Sequence, residues 1–215
     1  MRGLFIVFEG IDGSGTSTQS TLLHEYIKNQ GMRCHLTAEP SSGPIGTLIR
    51  SGMSGRVMFS KGGNPFYSSA DLFDEQMAYL FAADRHDHLY NPVDGVVKML
   101  EEGAIVISSR YFFSSYAYHC SSRSDYDFVK MLNSRFPNPD LVVYMDNAVD
   151  VSIDRISSRA VADEYENKHK LEKVRENYLR LFDGYNGDLL RVDASDPVGE
   201  INKKIVEKVE GLFLK

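Results

Sequence analysis

Residues 4 to 17 constrain the fold of this chain more than any other stretch. Leu4-Phe5-Ile6-Val7-Phe8 is a short, bulky, apolar run, the composition of a strand buried on both faces. It leads into Gly10-Ile11-Asp12-Gly13-Ser14-Gly15-Thr16-Ser17. That run fits the loop pattern G-x-x-x-x-G-K-[ST] except that Thr16 stands at the lysine position. Leu22, Leu23, Tyr26 and Ile27 follow at helical spacing, with Ser17 and Thr18 available as caps and Gly31 as a stop. Strand, glycine-rich loop and helix form a cradle in which backbone N–H groups and a helix N-terminus face an anion. Gly10, Asp12, Gly13, Ser14, Gly15, Thr16, Ser17 and Thr18 are therefore the candidate residues for binding the phosphates of a nucleotide such as ATP. The Ser17 hydroxyl is the candidate Mg²⁺ ligand. Thr16 cannot deliver a cation to the β- and γ-phosphates, and loss of one such group costs roughly 10²–10³ in rate.

The chain has 215 residues, enough for one domain with a sizeable core, and 42% hydrophobic residues, an ordinary globular content. A formal net charge of −6 argues against an extended nucleic-acid groove and leaves room for a small anion in a local basic pocket. Cys34 and Cys120 have neither metal-ligand spacing nor a disulfide framework, and read as thiols of a reducing compartment. No apolar run reaches membrane-spanning length, and no signal-type segment opens the chain, so no membrane partner and a cytoplasmic location are expected.

Further strands are expected at Cys34–Ala38, Ala104–Ser108, Leu141–Met145 and Leu189–Val192. Helical patterns cover 43–52, the long stretch from Leu72 to Leu89, 112–120, 126–135, 148–159, 168–183 and the amphipathic end from Val198 to Leu212. Pro92 bends or restarts the long helix. Residues 53 to 69, rich in Gly and Ser, read as a loop or insertion. The alternation implies one α/β domain over residues 1–215, in three layers, with a central five-stranded parallel sheet flanked by helices. Ligands bind at the carboxyl ends of the strands in such sheets, and the polar signals cluster there.

Glu39-Pro40 follows the second strand. Ser109-Arg110-Tyr111 follows the third, with Ser115 and Tyr118 soon after. Phe81 and Arg85 are four apart on the long helix and share a face, where a ring and a guanidinium suit a base beside a phosphate. Arg155 and Arg159 precede a polar stretch, Asp163 to Glu166. Each has a plainer reading: Phe81 as core packing, Arg85 and Arg110 as ion-pair partners, Arg155 and Arg159 as solvated charges. His86 and His88 lie two apart, on different helical faces, which argues against a metal pair.

Taken together these segments resemble the thymidylate kinase family over nearly the whole length. The loop from Phe8 to Gln19, Glu39-Pro40, Phe81 to Arg85, Arg110-Tyr111 with Ser115 and Tyr118, and a lid at about 155–168 carry the likeness. The resemblance implies the three-layer P-loop kinase fold and transfer of a phosphoryl group from ATP to dTMP, with Mg²⁺, in nucleotide biosynthesis by a homodimer. It implies Asp12, Arg110, Arg155 and Arg159 as catalytic residues. It implies Asp12, Glu39, Pro40, Phe81, Arg85, Arg110, Ser115 and Tyr118 as acceptor-binding residues, with Phe81 stacking on thymine and Arg85 and Arg110 clamping the acceptor phosphate. Thr16, Ser109 and Ala38 depart from its pattern, where lysine, aspartate and arginine are usual. Alternatives are a weak or inactive nucleotide-binding protein of the same fold, or a kinase for another nucleoside monophosphate.

Overall fold

The computed structural model describes residues 2–65, 67–157 and 168–213. Five strands, β1 (Phe5–Gly10), β2 (Cys34–Ala38), β5 (Ile105–Ser109), β6 (Leu141–Asp146) and β7 (Leu189–Asp193), form one sheet in the order β2-β5-β1-β6-β7. All four pairings are parallel. β1 is central, with Val7 opposite Ser108 on one side and Val142 on the other. Burial on both faces explains its continuous apolar sequence.

Strand side chains alternate between two cores. Phe5, Val7, Val106, Val142 and Tyr144 enter one. That layer is closed by α3 (Leu72–Tyr90), α4 (Val96–Glu101), α5 (Phe112–His119) and α8 (Lys168–Asp183). Ile6, Phe8, Ile107, Val143 and Met145 enter the other, covered by α1 (Thr16–Asn29) and α9 (Val198–Phe213). The three layers expected from the alternation are present, and the remaining helices are α2 (Pro44–Met53), α6 (Arg123–Asn133) and α7 (Val149–Ser157).

Local details differ from expectation in three places. α1 is capped by Gly15, at φ 96°, with no side-chain cap, and Ser17 and Thr18 lie inside its first turn. The loop turn itself delivers the chain into the helix, which leaves the first N–H groups without side-chain acceptors. The stretch expected as a loop at 53–69 instead leads into a small antiparallel pair that runs to Asp71, β3 (Gly63–Asn64) with β4 (Tyr67–Asp71). Tyr-Ser-Ser-Ala-Asp has no period-2 apolar pattern to announce it. Asp71 then caps α3, accepting the N–H groups of Phe73 and Asp74 at 2.9 and 3.2 Å. The long helix ends at Tyr90, where the Asn91 side chain accepts from Val93 and Asp94 and the chain turns before α4. No helix among the described residues is long and apolar enough to cross a membrane.

Candidate active site

β1 ends at Gly10 and the loop turns at once into α1. Gly13 and Gly15 sit at φ 81° and 96°, a region that favours glycine. A Cβ at Gly13 would also meet the Ser152 carbonyl oxygen of α7 at 2.7 Å. The loop lines a cavity of about 590 Å³ at the carboxyl ends of β1, β2 and β5. Thr16, Ser109 and Ala38 all line it, so the three departures from the family pattern share one space. Ser17, Arg50, Arg110 and Arg155 line it too. The Ser14 hydroxyl is buried in the loop without a hydrogen-bond partner among the described residues.

Arg110 follows β5 directly, and its backbone is in the left-handed region at φ 73°. A non-glycine residue is seldom held there without compensating contacts. Those contacts converge on the loop. Nη2 donates to Asp12 Oδ1 and Nη1 to the Gly10 carbonyl, each at 2.7 Å. Tyr118, buried on α5, donates to Asp12 Oδ2 at 2.8 Å and accepts the Asp12 N–H at 3.2 Å. Its ring lies 5.1 Å from the Arg110 guanidinium carbon. Asp12, Arg110 and Tyr118, far apart in sequence, are thus one unit.

Arg85 lies elsewhere. It is buried and does not line the cavity with Arg110. Its Nε and Nη2 reach Glu39 Oε2 at 2.9 and 2.7 Å, Nη1 donates to Asn133 Oδ1, and Nη2 to Ser115 Oγ at 3.3 Å. The rings of Tyr111 and Phe136 flank the guanidinium. Arg85, Ser115 and Glu39 therefore form a second group that braces the Glu39-Pro40 loop from below. Asp84 and His88 extend it: Asp84 accepts the Ser41 N–H and hydroxyl at 2.7 and 2.6 Å, and His88 bridges Thr37 and Glu39. Of the two histidines only His88 belongs to this brace; His86 is exposed, its ring 5.1 Å from that of Tyr90, and no metal-type cluster of His, Cys, Asp and Glu occurs among the described residues. Phe81 is half-buried, its ring 5.4 Å from that of His119 and packed on the core. Pro40 lines the cavity and its carbonyl accepts from Arg50. Arg155 donates to the carbonyls of Gly13 and Ala194 at 3.1 and 3.2 Å. Arg159, with most of the lid at about 155–168, lies outside the described residues.

Sequence reasoning passed over Glu9, Tyr178 and Arg50. Glu9 is fully buried at the end of β1, and burial pushes its carboxyl up to about 7, against the pull of Arg110 and three hydrogen-bond donors. Tyr178 sits in the apolar stripe Leu171, Val174, Tyr178 and Phe182 of α8, and its hydroxyl is the one polar atom that stripe sends toward the loop. Arg50 of α2 donates to the carbonyls of Pro40 and Ser41, and only the docking of α2 over that loop brings it to the cavity.

The family model described as thymidylate kinase matches residues 8–205. A probable thymidylate kinase of Thermococcus kodakarensis is 39% identical over 212 residues, covering 98% of each chain. One from Pyrobaculum aerophilum is 42% identical over 175 residues, 81% of each. The solved structure of thymidylate kinase from Candida albicans superposes with a TM-score of 0.74 at 21% identity, covering 98% of this chain and 92% of that one, a likeness of fold. The glycine-rich loop alone marks a phosphate binder of unspecified class; likeness from one end of the chain to the other resolves the class, and this chain belongs to the thymidylate kinase family of nucleoside monophosphate kinases.

Proposed function

We propose that the enzyme transfers the γ-phosphoryl group of ATP to dTMP, giving ADP and dTDP. The observation that carries this reading is that Arg110 faces the cavity lined by the loop and is bonded to the loop's own Asp12. One cavity then has N–H donors for the donor phosphates and a guanidinium for the acceptor phosphate. The described bonds engage Nη1 and Nη2 of Arg110 and leave Nε as a donor. Phosphoryl transfer needs little covalent help from protein. It needs alignment, charge neutralisation and exclusion of water. Asp12, held from two sides by Arg110 and Tyr118, fixes the acceptor side relative to the loop. Glu39 and Pro40, the former bonded to Arg85, line the same cavity, and Phe81 and Tyr118 would supply aromatic surface for the base.

Mg²⁺ is the cofactor the family implies. The Ser17 hydroxyl lines the cavity, and a hydroxyl with nucleotide oxygens and water suits this hard ion. Ser17 would hold it, and when bound the ion supplies positive charge to the donor phosphates. Arg155, already against the loop at the Gly13 carbonyl, supplies part of the charge that Thr16 lacks, and Arg159 adds to it. The same reading extends to a cytoplasmic homodimer serving nucleotide biosynthesis.

ADP release should be measured with dTMP, dUMP and the other nucleoside monophosphates. Turnover greatest with dTMP supports the reading. No turnover with any of them, in folded protein that ATP stabilises thermally, would replace it with that of a nucleotide-binding protein.

A further inference from the structure

Glu9 Oε1 accepts the Tyr111 N–H at 2.8 Å. Its Oε2 lies 2.7 Å from Ser114 Oγ and 2.8 Å from the Tyr178 hydroxyl. Those two hydroxyls are themselves 2.8 Å apart. Three oxygens therefore form a closed triangle with three short edges. An edge of that length is stabilised by a proton between its oxygens. Each hydroxyl brings one proton, and an ionised carboxylate brings none. With Glu9 ionised, one edge sets two lone pairs against each other. With Glu9 protonated, each oxygen donates once and accepts once, and the ring is complete.

The ring lies directly under Arg110. Nη1 of Arg110 is 3.3 Å from both Ser114 Oγ and the Tyr178 hydroxyl. In the completed ring both oxygens keep a lone pair for it. The groups facing this position are the Glu9 and Asp12 carboxylates, the Arg110 guanidinium and the Tyr118 and Tyr178 phenols. Burial holds both phenols neutral, far above the usual tyrosine range. Two carboxylates thus share one cation. Asp12 receives one donor on each oxygen, from Arg110 and from Tyr118. The edge that lacks a proton lies in the Glu9 triangle.

We propose that Glu9 is a positioning residue that takes up a proton from solvent when Arg110 receives an anionic phosphate group. A phosphate at Arg110 adds negative charge to a site where Glu9 is already desolvated, and like charges disfavour each other's ionised forms. Protonation relieves that repulsion, completes the ring and keeps Nη1 of Arg110 in place while the guanidinium serves the ligand. The inference rests on the preceding reading for the identity of the anion, dTMP, while the ring depends only on the fold.

Calorimetric titration of the full chain and of Glu9→Gln with dTMP, and separately with inorganic phosphate, tests this. Buffers of different ionisation heat at about pH 7.5 report the protons exchanged. Wild type should take up a substantial fraction of one proton per ligand bound, Glu9→Gln should lose that uptake, and Tyr178→Phe, which opens the ring, should reduce it. In wild type alone, ligand addition should also produce the infrared carbonyl band of a protonated carboxylic acid, a readout that does not depend on the variant folding. Equal uptake in wild type and Glu9→Gln, no uptake in wild type, or no acid band would overturn the proposal. If phosphate binds with uptake and dTMP does not bind, the dTMP reading fails and the role of Glu9 stands. Binding of neither probe sinks both.

Discussion

Arg85 and Glu39 form an ion pair closed to solvent, with Nη2 and Oε2 2.7 Å apart and each side chain 1% exposed. The pair ties α3 to the loop after β2, and that loop walls the cavity at Pro40. Breaking a buried pair from one side leaves an uncompensated charge, which costs about 3–5 kcal/mol. Glu39→Ala should therefore destabilise the fold by about that much, read as a lower urea midpoint. Glu39→Gln keeps a hydrogen-bond acceptor and should cost less. Equal stability of Glu39→Ala and wild type would contradict the pairing.

Thr16→Lys should raise kcat. Thr16 lines the cavity beside the loop donors, and a lysine there can reach the transferring phosphoryl group. Restoring one preorganised cation should recover about 10-fold or more, within the roughly 10²–10³ such groups usually supply. A fall in kcat would mean that the added charge lacks the balance an aspartate at position 109 would give. Steady-state kinetics with Thr16→Lys and with Thr16→Lys, Ser109→Asp separates the two outcomes.

Arg110 offers a test that reverses the usual order of two small residues. Its φ of 73° is strained for any side chain and free for glycine. Arg110→Gly should be more stable than Arg110→Ala by about 1 kcal/mol, although glycine is ordinarily the less stable choice. Both should lose about 10²–10³ in kcat/KM for dTMP, because both remove the guanidinium from the cavity. Thermal or urea unfolding of the two proteins gives the stability order.

The stability of wild type relative to Glu9→Gln should depend on pH. Burial raises the folded carboxyl from 4.5 to about 7. Between those values the folded protein holds a proton that the unfolded chain has released. Stability from this group is therefore lost as pH rises through that window, and is fully lost above about 7. The total is on the order of 3 kcal/mol. His35 and His119, held below the usual histidine range by burial, act in the opposite sense as pH falls. The difference between wild type and Glu9→Gln cancels their contribution. Urea unfolding of both proteins from about pH 5 to about pH 8 measures it, and a flat difference would contradict the buried carboxyl.

Much of the glycine-rich loop was legible because its determinants are contiguous. An apolar run, spaced glycines and a helical stripe lie within the first turn of the chain through the sheet, and the loop in the structure follows them. The inner strands β1, β5 and β6 were legible for the same reason, since double burial favours near-continuous apolar residues. The partners of the α3 side chains were less legible. Phe81 and Arg85 share a helix as their spacing requires, yet Arg85 turns to Glu39 and Asn133, which lie 46 and 48 residues away in the chain. Spacing on one helix says which residues share a face and not what the fold will set against that face. The hairpin of β3 and β4 escaped notice because its strands carry no apolar alternation.

The sequence by itself determined the strand-loop-helix unit, the parallel sheet between two helical layers and the family. These rest on local propensity and on which residues must leave water. Only the tertiary structure decided how the charged groups pair. Tyr178 meets Glu9 across 169 residues, and Arg110 meets Asp12 across 98. The physical reason is that a buried charge is stable only beside a compensating group, and sequence distance carries no information about which group the packed core will bring within bonding range.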